Sequence, residues 1–362
     1  MMRLPHFTFH APRTVQEAAE LLAGAPEGAM LLAGGTDLLP NMKRRQQVPK
    51  TLIGLRHVAG LRAIAHDGSS TSDPSTELGA GGLTIGAGVT LTGLVRDVRL
   101  RHGSVEHAPG PYGALWQAAA QVATPHLRNM GTLGGNLCLD TRCNYYDQNY
   151  EWRKAIDFCM KKDGATCWVA TSSPKCLAVS STDTAPALIA LGAEVTLVSA
   201  RGTRRIAASD LYRNDGIDYL TRRPDEILTS IHVPGAGGWR STYWKLRRRG
   251  SFDFPVLSIA AAAKIAEDGT VEAARLVLGA VSSRPMAAPA AVAALVGRRL
   301  TDEVIADAAE RAAQPAKPMD NTDFPLVWRK RVTRDFVTYA LRELRGDDTR
   351  EVRRRIARQM LL

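Results

Sequence analysis

The chain has 362 residues, too long for one ordinary domain and enough for two or three. Its apolar fraction of 45% and charged fraction of 23% are those of a globular protein, and no run of about 18 apolar residues is present to form a spanning helix. The formal net charge of +11 sits in short clusters (Lys43 to Arg45, Lys245 with Arg247 to Arg249, Arg353 to Arg355) with no aromatic platform or helix-turn-helix pattern beside them, which favours solvated faces or an acidic protein partner over nucleic acid.

The N-terminal stretch MMRLPHFTFHAPRT lacks the apolar core and cleavage pattern of a signal peptide, which predicts the start of a folded domain in a cytoplasmic protein. Residues 14–24 have helical spacing, with Thr14 as N-cap and Glu17 completing a capping box. The apolar run from Met30 into Gly34 and Gly35 reads as a buried strand entering a turn, and 51–55 as a second short strand. The polar, Gly/Ser-rich stretch 67–82 reads as a surface loop. Residues 83–95 read as a strand, a glycine break and a helix start; 113–122 as a helix; 124–138 as a glycine-dense loop. Beyond an unpatterned stretch, Asp183 is positioned to cap a helix with Pro186 in its first turn, and 195–198 form a strand. Strands at 242–249, 256–265 and 273–281 then precede helices near 286–297, 301–315 and 322–345, an order that points to α+β. The Gly/Pro stretch VPGAGG places a domain join near 235–240, and the basic tail 347–362 reads as a last surface helix.

Two constellations carry chemistry. The first is a pair of glycine clusters: Gly34 and Gly35 with Thr36 and Asp37, and Gly131, Thr132, Leu133, Gly134, Gly135 and Asn136. Glycines let backbone N–H groups approach an anion, so two such loops with a basic residue such as Lys245 suit the two phosphates of a dinucleotide. Each cluster alone reads more readily as a tight turn. Neither matches G-x-G-x-x-G or the Walker pattern, so the usual nicotinamide site and a nucleotide triphosphatase are excluded. The second constellation is the cysteines. All five lie between 138 and 176, and Cys143, Cys159, Cys167 and Cys176 are separated by 15, 7 and 8 residues. Four thiolates suit a [4Fe-4S] cluster or a structural zinc; the close C-x-x-C pairs of zinc knuckles and ferredoxins are absent, so spacing leaves the metal open, with buried free cysteines as the third reading. Cys138 reads as a packing residue beside the glycine loop, and His126 as a hydrogen-bonded structural histidine. No nucleophile–His–acid pattern is present.

The segments AGGTDLLP (33–40) with Lys43, NMGTLGGNLC (129–138), DTAPALIALGA (183–193) and YWKLRRRGSFDFPVLSIAAA (243–262) resemble, in order and over nearly the whole chain, the flavin subunit of the xanthine oxidase family of molybdenum hydroxylases, which includes the medium subunits of carbon monoxide dehydrogenases. The resemblance implies an α+β protein. An FAD-binding domain of the vanillyl-alcohol-oxidase (PCMH) type, in two lobes, would span 1–235, and a smaller α+β domain like the CO dehydrogenase flavoprotein C-terminal domain would span 240–346. It also implies FAD contacts by Ala33, Gly34, Gly35, Thr36 and Asp37 at the pyrophosphate, and by Thr132, Leu133, Gly134, Gly135 and Asn136 at the second phosphate and ribityl chain. Asp183 would hydrogen-bond a cofactor hydroxyl, Leu228 would pack on the cofactor, and Lys245 would sit near the flavin ring or its phosphates.

Most of the family runs straight from the second glycine loop into the Asp183 helix. The insertion at 139–178 resembles one branch, the beta subunit of 4-hydroxybenzoyl-CoA reductase, whose insertion carries a [4Fe-4S] cluster; the implied ligands are Cys143, Cys159, Cys167 and Cys176. That branch implies a molybdopterin-containing large subunit, a small subunit with two [2Fe-2S] clusters, a dimer of heterotrimers, and ferredoxin as electron donor. Substrate chemistry then lies on another subunit and no catalytic residue is expected here. Two rivals stand beside it: the flavin subunit of a hydroxylase oxidising another aromatic or N-heterocycle, and a binding protein stabilised by zinc.

Overall fold

The computed structural model describes residues 3–25, 28–66, 82–101, 108–250 and 252–359. The surface loop expected at 67–82 therefore lies, except for Gly82, outside the described residues. The helix Val15–Gly24 starts as its sequence dictates: Thr14 Oγ1 accepts from the Glu17 N–H at 3.1 Å, while the Glu17 carboxylate accepts from the Arg13 N–H at 2.8 Å, one residue earlier than the standard box. Its buried Ala18, Ala19 and Leu22 pack on Ile53, Val58 and Ile227. Beside it runs a parallel sheet of three short strands, with Thr51–Gly54 between Thr8–His10 and Ala29–Leu32.

A second sheet is antiparallel and five-stranded, in the order Ile64–His66, Leu83–Gly86, Ile227–Val233, Glu194–Ser199, Gly202–Ala207. Its middle strand, Ile227–Val233, is not anticipated by the sequence reading, nor is Gly202–Ala207. Glu194–Ser199 alternates half-buried and buried, as expected for a strand with one wetter face.

A third sheet is an antiparallel meander of Trp239–Leu246, Leu257–Ile265, Val271–Gly279 and the short Met286–Ala287. One face carries Ile259 and Leu278 against Val337, Leu341 and Leu344 of the helix Leu326–Arg345 and Ala308 and Ala312 of the helix Asp302–Ala313. The opposite face carries Tyr243, Ala260 and Ala262 against Ala114 and Ala118 of the helix Gly113–Gln121 and Ala187 and Ala190 of the helix Thr184–Ala190. Alanines there let the helices lie close to the sheet. Burial on both faces explains why the strand Leu257–Ile265 is apolar almost throughout instead of alternating. Strands and helices are thus segregated in this half, as α+β requires.

The stretch 124–138 is not a plain loop. It holds two short helices, Pro125–Arg128 and Leu133–Leu137, capped by Thr124 and Thr132, whose hydroxyls accept from Leu127 and Gly135 N–H. They are too short to show periodicity. The tail forms the helix Arg350–Gln359, and it does more than cover surface. The Arg353 guanidinium lies 3.9 Å from the Trp244 ring and donates to Glu343 at 2.6 Å and Thr242 Oγ1 at 3.0 Å. Gln117 Oε1, in turn, accepts from the Tyr243 N–H at 2.6 Å and the Thr242 hydroxyl at 3.0 Å. Among the described residues, no helix is long and apolar enough to cross a membrane.

Candidate functional site

The two glycine clusters, about a hundred residues apart, meet. A Cβ on Gly34 would lie 2.0 Å from the Met130 carbonyl oxygen, so the first turn packs directly on the approach to the second. Gly35 has φ +72°, a left-handed conformation that favours glycine. The second cluster is zipped to the turn at 87–91 by Leu133 N–H to Val89 O at 2.9 Å and Gly134 N–H to Ala87 O at 2.8 Å, and a Cβ on Gly134 would meet the Ala87 Cβ at 2.7 Å.

The paired turns form the floor of a cleft of about 750 Å³, within the range of about 300–1,000 Å³ for ligand sites. Ala33, Gly34, Gly35, Thr36, Asp37, Thr132, Gly134, Gly135, Asn136, Asp183 and Leu228 all line it. Among the described residues, the N–H groups of Gly34, Gly35, Thr36 and Asp37 meet no protein acceptor. A row of free donors on a glycine turn, opening on a cleft of this size, fits the phosphates of a dinucleotide such as FAD. Asn136 Oδ1 ties the second cluster to the next segment, accepting from the Thr182 and Thr184 hydroxyls at 2.9 and 2.7 Å and from the Thr184 N–H at 3.0 Å.

Two residues expected at the cofactor stand back from the cleft wall. Leu133 does not line the cleft; it is fully buried in the apolar cluster with Leu91 and Leu188. Lys245 does not line it either, since its side chain is fully buried behind Asp183. Asp183 also does not cap its helix through its side chain. Its carboxylate instead accepts from the Tyr243 hydroxyl at 2.6 Å and from Lys245 Nζ at 3.0 Å, and Lys245 donates further to Gln121 O at 3.0 Å. Burial raises the Asp183 carboxyl against the pull of the Lys245 charge, and burial lowers Lys245 against the pull of Asp183.

Other residues reach the cleft without having been singled out: Asp140, Tyr219, Arg222, Phe252 and Phe254. Cys138, read as a packing residue, does pack against the apolar cluster of Leu133 and Leu188 and also touches the cleft. The phenylalanines lie in the segment GSFDFP, whose two exposed aromatics in a loop were the available signal. Asp37 also has an unforeseen partner. It accepts from Asn41 Nδ2 at 3.0 Å and forms an ion pair with buried Arg142, which also reaches Asp147 at 3.3 Å and stacks 4.7 Å from the Phe254 ring. The residue next to Cys143 thus docks the cysteine segment on the first glycine turn.

Cys143, Cys159, Cys167 and Cys176 are free, buried, and line a single small cavity with Tyr145, Tyr146, Met160 and Lys161. Burial pushes the Cys143 thiol up to about 12 and the Cys176 thiol up to about 11, with the neighbouring thiols adding to the rise at both. They therefore stay protonated at neutral pH unless a metal displaces the protons. Zinc held by four thiolates requires sulfurs about 3.8 Å apart, given its tetrahedral geometry and bond length. Among the described residues no three His, Cys, Asp or Glu side chains are drawn together closely enough for a single metal ion. By donor chemistry, four thiols around one cavity suit a thiolate-bound metal, zinc or iron–sulfur alike. The free space between them is about 10 Å³, about what one water requires.

Comparison with known proteins bears on the cleft. Residues 5–236 match the family described as the FAD binding domain in molybdopterin dehydrogenase, and residues 241–344 match the CO dehydrogenase flavoprotein C-terminal domain. The chain is 33% identical over 298 residues to the aldehyde oxidoreductase FAD-binding subunit PaoB of Escherichia coli (strain K12), covering 80% of this chain and 86% of that one. It is 26% identical over 319 residues to the carbon monoxide dehydrogenase medium chain of Hydrogenophaga pseudoflava, covering 88% and 89%. The solved structure of a carbon monoxide dehydrogenase from Hydrogenophaga pseudoflava, a form lacking the Mo-pyranopterin moiety of the molybdenum cofactor, superposes with a TM-score of 0.72 at 26% identity over 95% of this chain and 98% of that one. The expected architecture, an FAD-binding domain of PCMH type followed by a smaller α+β domain, is the one these matches carry.

Proposed function

Because the chain belongs to the family of FAD-binding subunits of molybdenum hydroxylases and is an oxidoreductase subunit, we propose that it is the electron-transfer subunit of a 4-hydroxybenzoyl-CoA reductase-like complex, with FAD in the cleft and a [4Fe-4S] cluster on Cys143, Cys159, Cys167 and Cys176. The carrying observation is the gathering of four free, buried thiols around one cavity beside the cleft. FAD accepts and gives electrons one or two at a time, which suits a relay between one-electron centres. The free N–H groups of residues 34–37 hold the pyrophosphate, Asn136 and its neighbours hold the second phosphate and ribityl chain, Asp183 accepts from a cofactor hydroxyl, and Leu228 packs on it. On this reading the FAD-binding domain spans 1–235 with 139–178 as its insertion, the C-terminal domain spans 240–346, and 347–362 is the tail.

The complex adds a large subunit with molybdopterin and a small subunit with two [2Fe-2S] clusters, assembled as a dimer of heterotrimers. The substrate reaction, on the large subunit, replaces the phenolic hydroxyl of 4-hydroxybenzoyl-CoA by hydrogen, consuming two electrons and two protons and releasing water and benzoyl-CoA. Reduced ferredoxin supplies the electrons, docking on exposed basic residues such as Arg44, Arg45, Arg248 and Arg249. Transfer from ferredoxin therefore slows as salt rises.

The decisive comparison is the purified complex against its Cys167→Ser variant. Wild type is expected to contain FAD and about four more iron and four more sulfide than the small subunit's clusters account for, and the variant to lose that increment while keeping FAD. Zinc in place of iron, or equal iron in both, overturns the cluster. The relatives named as an aldehyde oxidoreductase and a carbon monoxide dehydrogenase favour a second reading, a subunit serving substrate oxidation. Failure of reduced ferredoxin to drive dehydroxylation, together with turnover of an aldehyde or aromatic heterocycle by an oxidised acceptor, would select it.

A further inference from the structure

The wall between the cleft and the thiol cavity is one connected set of side chains. Asp140 and Tyr219 line the cleft, whereas Lys161 and Tyr146 line the thiol cavity. Lys161 Nζ donates to Asp140 Oδ1 at 2.8 Å, Thr141 Oγ1 at 2.8 Å and Gly216 O at 2.6 Å, which uses all three of its protons. The ammonium lies 4.9 Å from the Tyr146 ring and 5.5 Å from the Tyr219 ring, one on each side of the wall. Asp140 Oδ2 accepts from the Tyr146 hydroxyl and from Gln47 Nε2, each at 3.2 Å. Gly216 belongs to the same wall: it donates its N–H to Cys176 O at 2.9 Å, and a Cβ there would lie 2.6 Å from Cys176 Sγ.

Side-chain exposures of 6% for Lys161 and 7% for Asp140 make this a buried ion pair. Such a pair does not repay its desolvation well, so stability alone is a weak reason for its presence. Its position supplies a better one. Among the described residues, Lys161 is the only cationic side chain lining the thiol cavity. Four thiolates on a metal centre carry net negative charge into a dry space, and a fixed ammonium at the wall offsets it.

We propose that Lys161 is a positioning residue for the metal–thiolate centre, its ammonium offsetting the charge of the bound thiolates, and that Asp140 ties that ammonium to the flavin-facing wall, so that the two sites share one electrostatic bridge. This rests on the reading that the four thiols hold an iron–sulfur cluster. A positive charge beside the cluster favours its reduced, more negative state, and removing it disfavours that state.

The test uses the assembled complex with Lys161→Met, Lys161→Arg and Asp140→Asn. The readouts are iron, sulfide and FAD content, and the cluster's midpoint potential by EPR-monitored titration. Lys161→Met is expected to move the potential negative and Lys161→Arg to restore it. Asp140→Asn is expected to move it positive, because the ammonium loses its counter-charge. Full iron content with an unmoved potential in Lys161→Met, or a shift that arginine does not rescue, overturns the bridge alone. If Lys161→Met fails to load iron, Asp140→Asn decides: a positive shift supports the bridge and an unmoved potential overturns it. No extra iron or sulfide in the wild-type complex overturns the cluster reading, and this bridge with it.

Discussion

Lys245 and Asp183 form the most enclosed ion pair near the cleft, with side-chain exposures of 0% and 4%. Removing one partner strands the other charge in a dry site. Lys245→Met is therefore expected to cost about 3–5 kcal/mol, and Lys245→Met combined with Asp183→Asn to cost less than the sum of the two single changes. Chemical denaturation of the four proteins checks this, and additive losses would refute it. Asp183 was legible from pattern only as the residue that opens a helix after a cysteine-rich gap; its place at the cofactor was implied by the family resemblance alone. The facing of Lys245 was not legible, because its strand is buried on both sides and carries no alternation to read. Register decides it: Lys245 stands opposite Ser258 and two residues from Tyr243, so it shares the face that meets the Asp183 helix. Glycine positions were easier. Gly34 and Gly134 stand where a side chain would collide with backbone, a requirement written in the residue type itself.

The strap before the strand Ile227–Val233 carries Arg222 to the cleft, and Glu226 holds the strap. Glu226 accepts from Arg204 Nε at 2.6 Å, Arg204 Nη2 at 2.8 Å and the Arg223 N–H at 2.7 Å, while Arg222 Nη1 donates to the Glu226 carbonyl. Burial alone would raise the Glu226 carboxyl, but these hydrogen bonds and the Arg204 charge outweigh it and hold it below its ordinary 4.5. A depressed folded-state value contributes stability that is present above about pH 4.5 and lost as pH falls through the lower folded value. Glu226→Gln is therefore expected to cost about 1.5–3 kcal/mol at neutral pH. The gap from wild type should close below pH 4.5, read as denaturation midpoints across a pH series; a pH-independent gap would count against the ion pair. The cysteine segment shows the limit of periodicity. Apart from the helix Tyr150–Ala155 it is built of turns, and Asp157, Phe158 and Asp163 take left-handed φ of 59°, 57° and 71° on either side of Cys159. Such backbone follows from the thiols and charges it encloses, so only the cysteines marked it in the sequence.

At the scale of the molecule, Arg353 in the C-terminal helix reaches Glu343 and Thr242, and Gln117 joins them from a helix more than a hundred residues earlier. Arg353→Ala leaves the Glu343 carboxylate, 8% exposed, with less compensation. The expected loss is about 1–3 kcal/mol, non-additive with Gln117→Ala, by the same denaturation measurement. The order of strands then helices made the α+β class legible, whereas the placing of Ile227–Val233 between strands from distant parts of the chain was not, because pairing partners leave no trace in local pattern. One contact has a consequence for the birth of the protein. Gly34 rests on Met130, and the cleft wall runs from Leu22 to Phe254. A chain still emerging from the ribosome has no complete flavin seat until most of its length is out. The seat for the cofactor is therefore completed only after synthesis has passed Phe254.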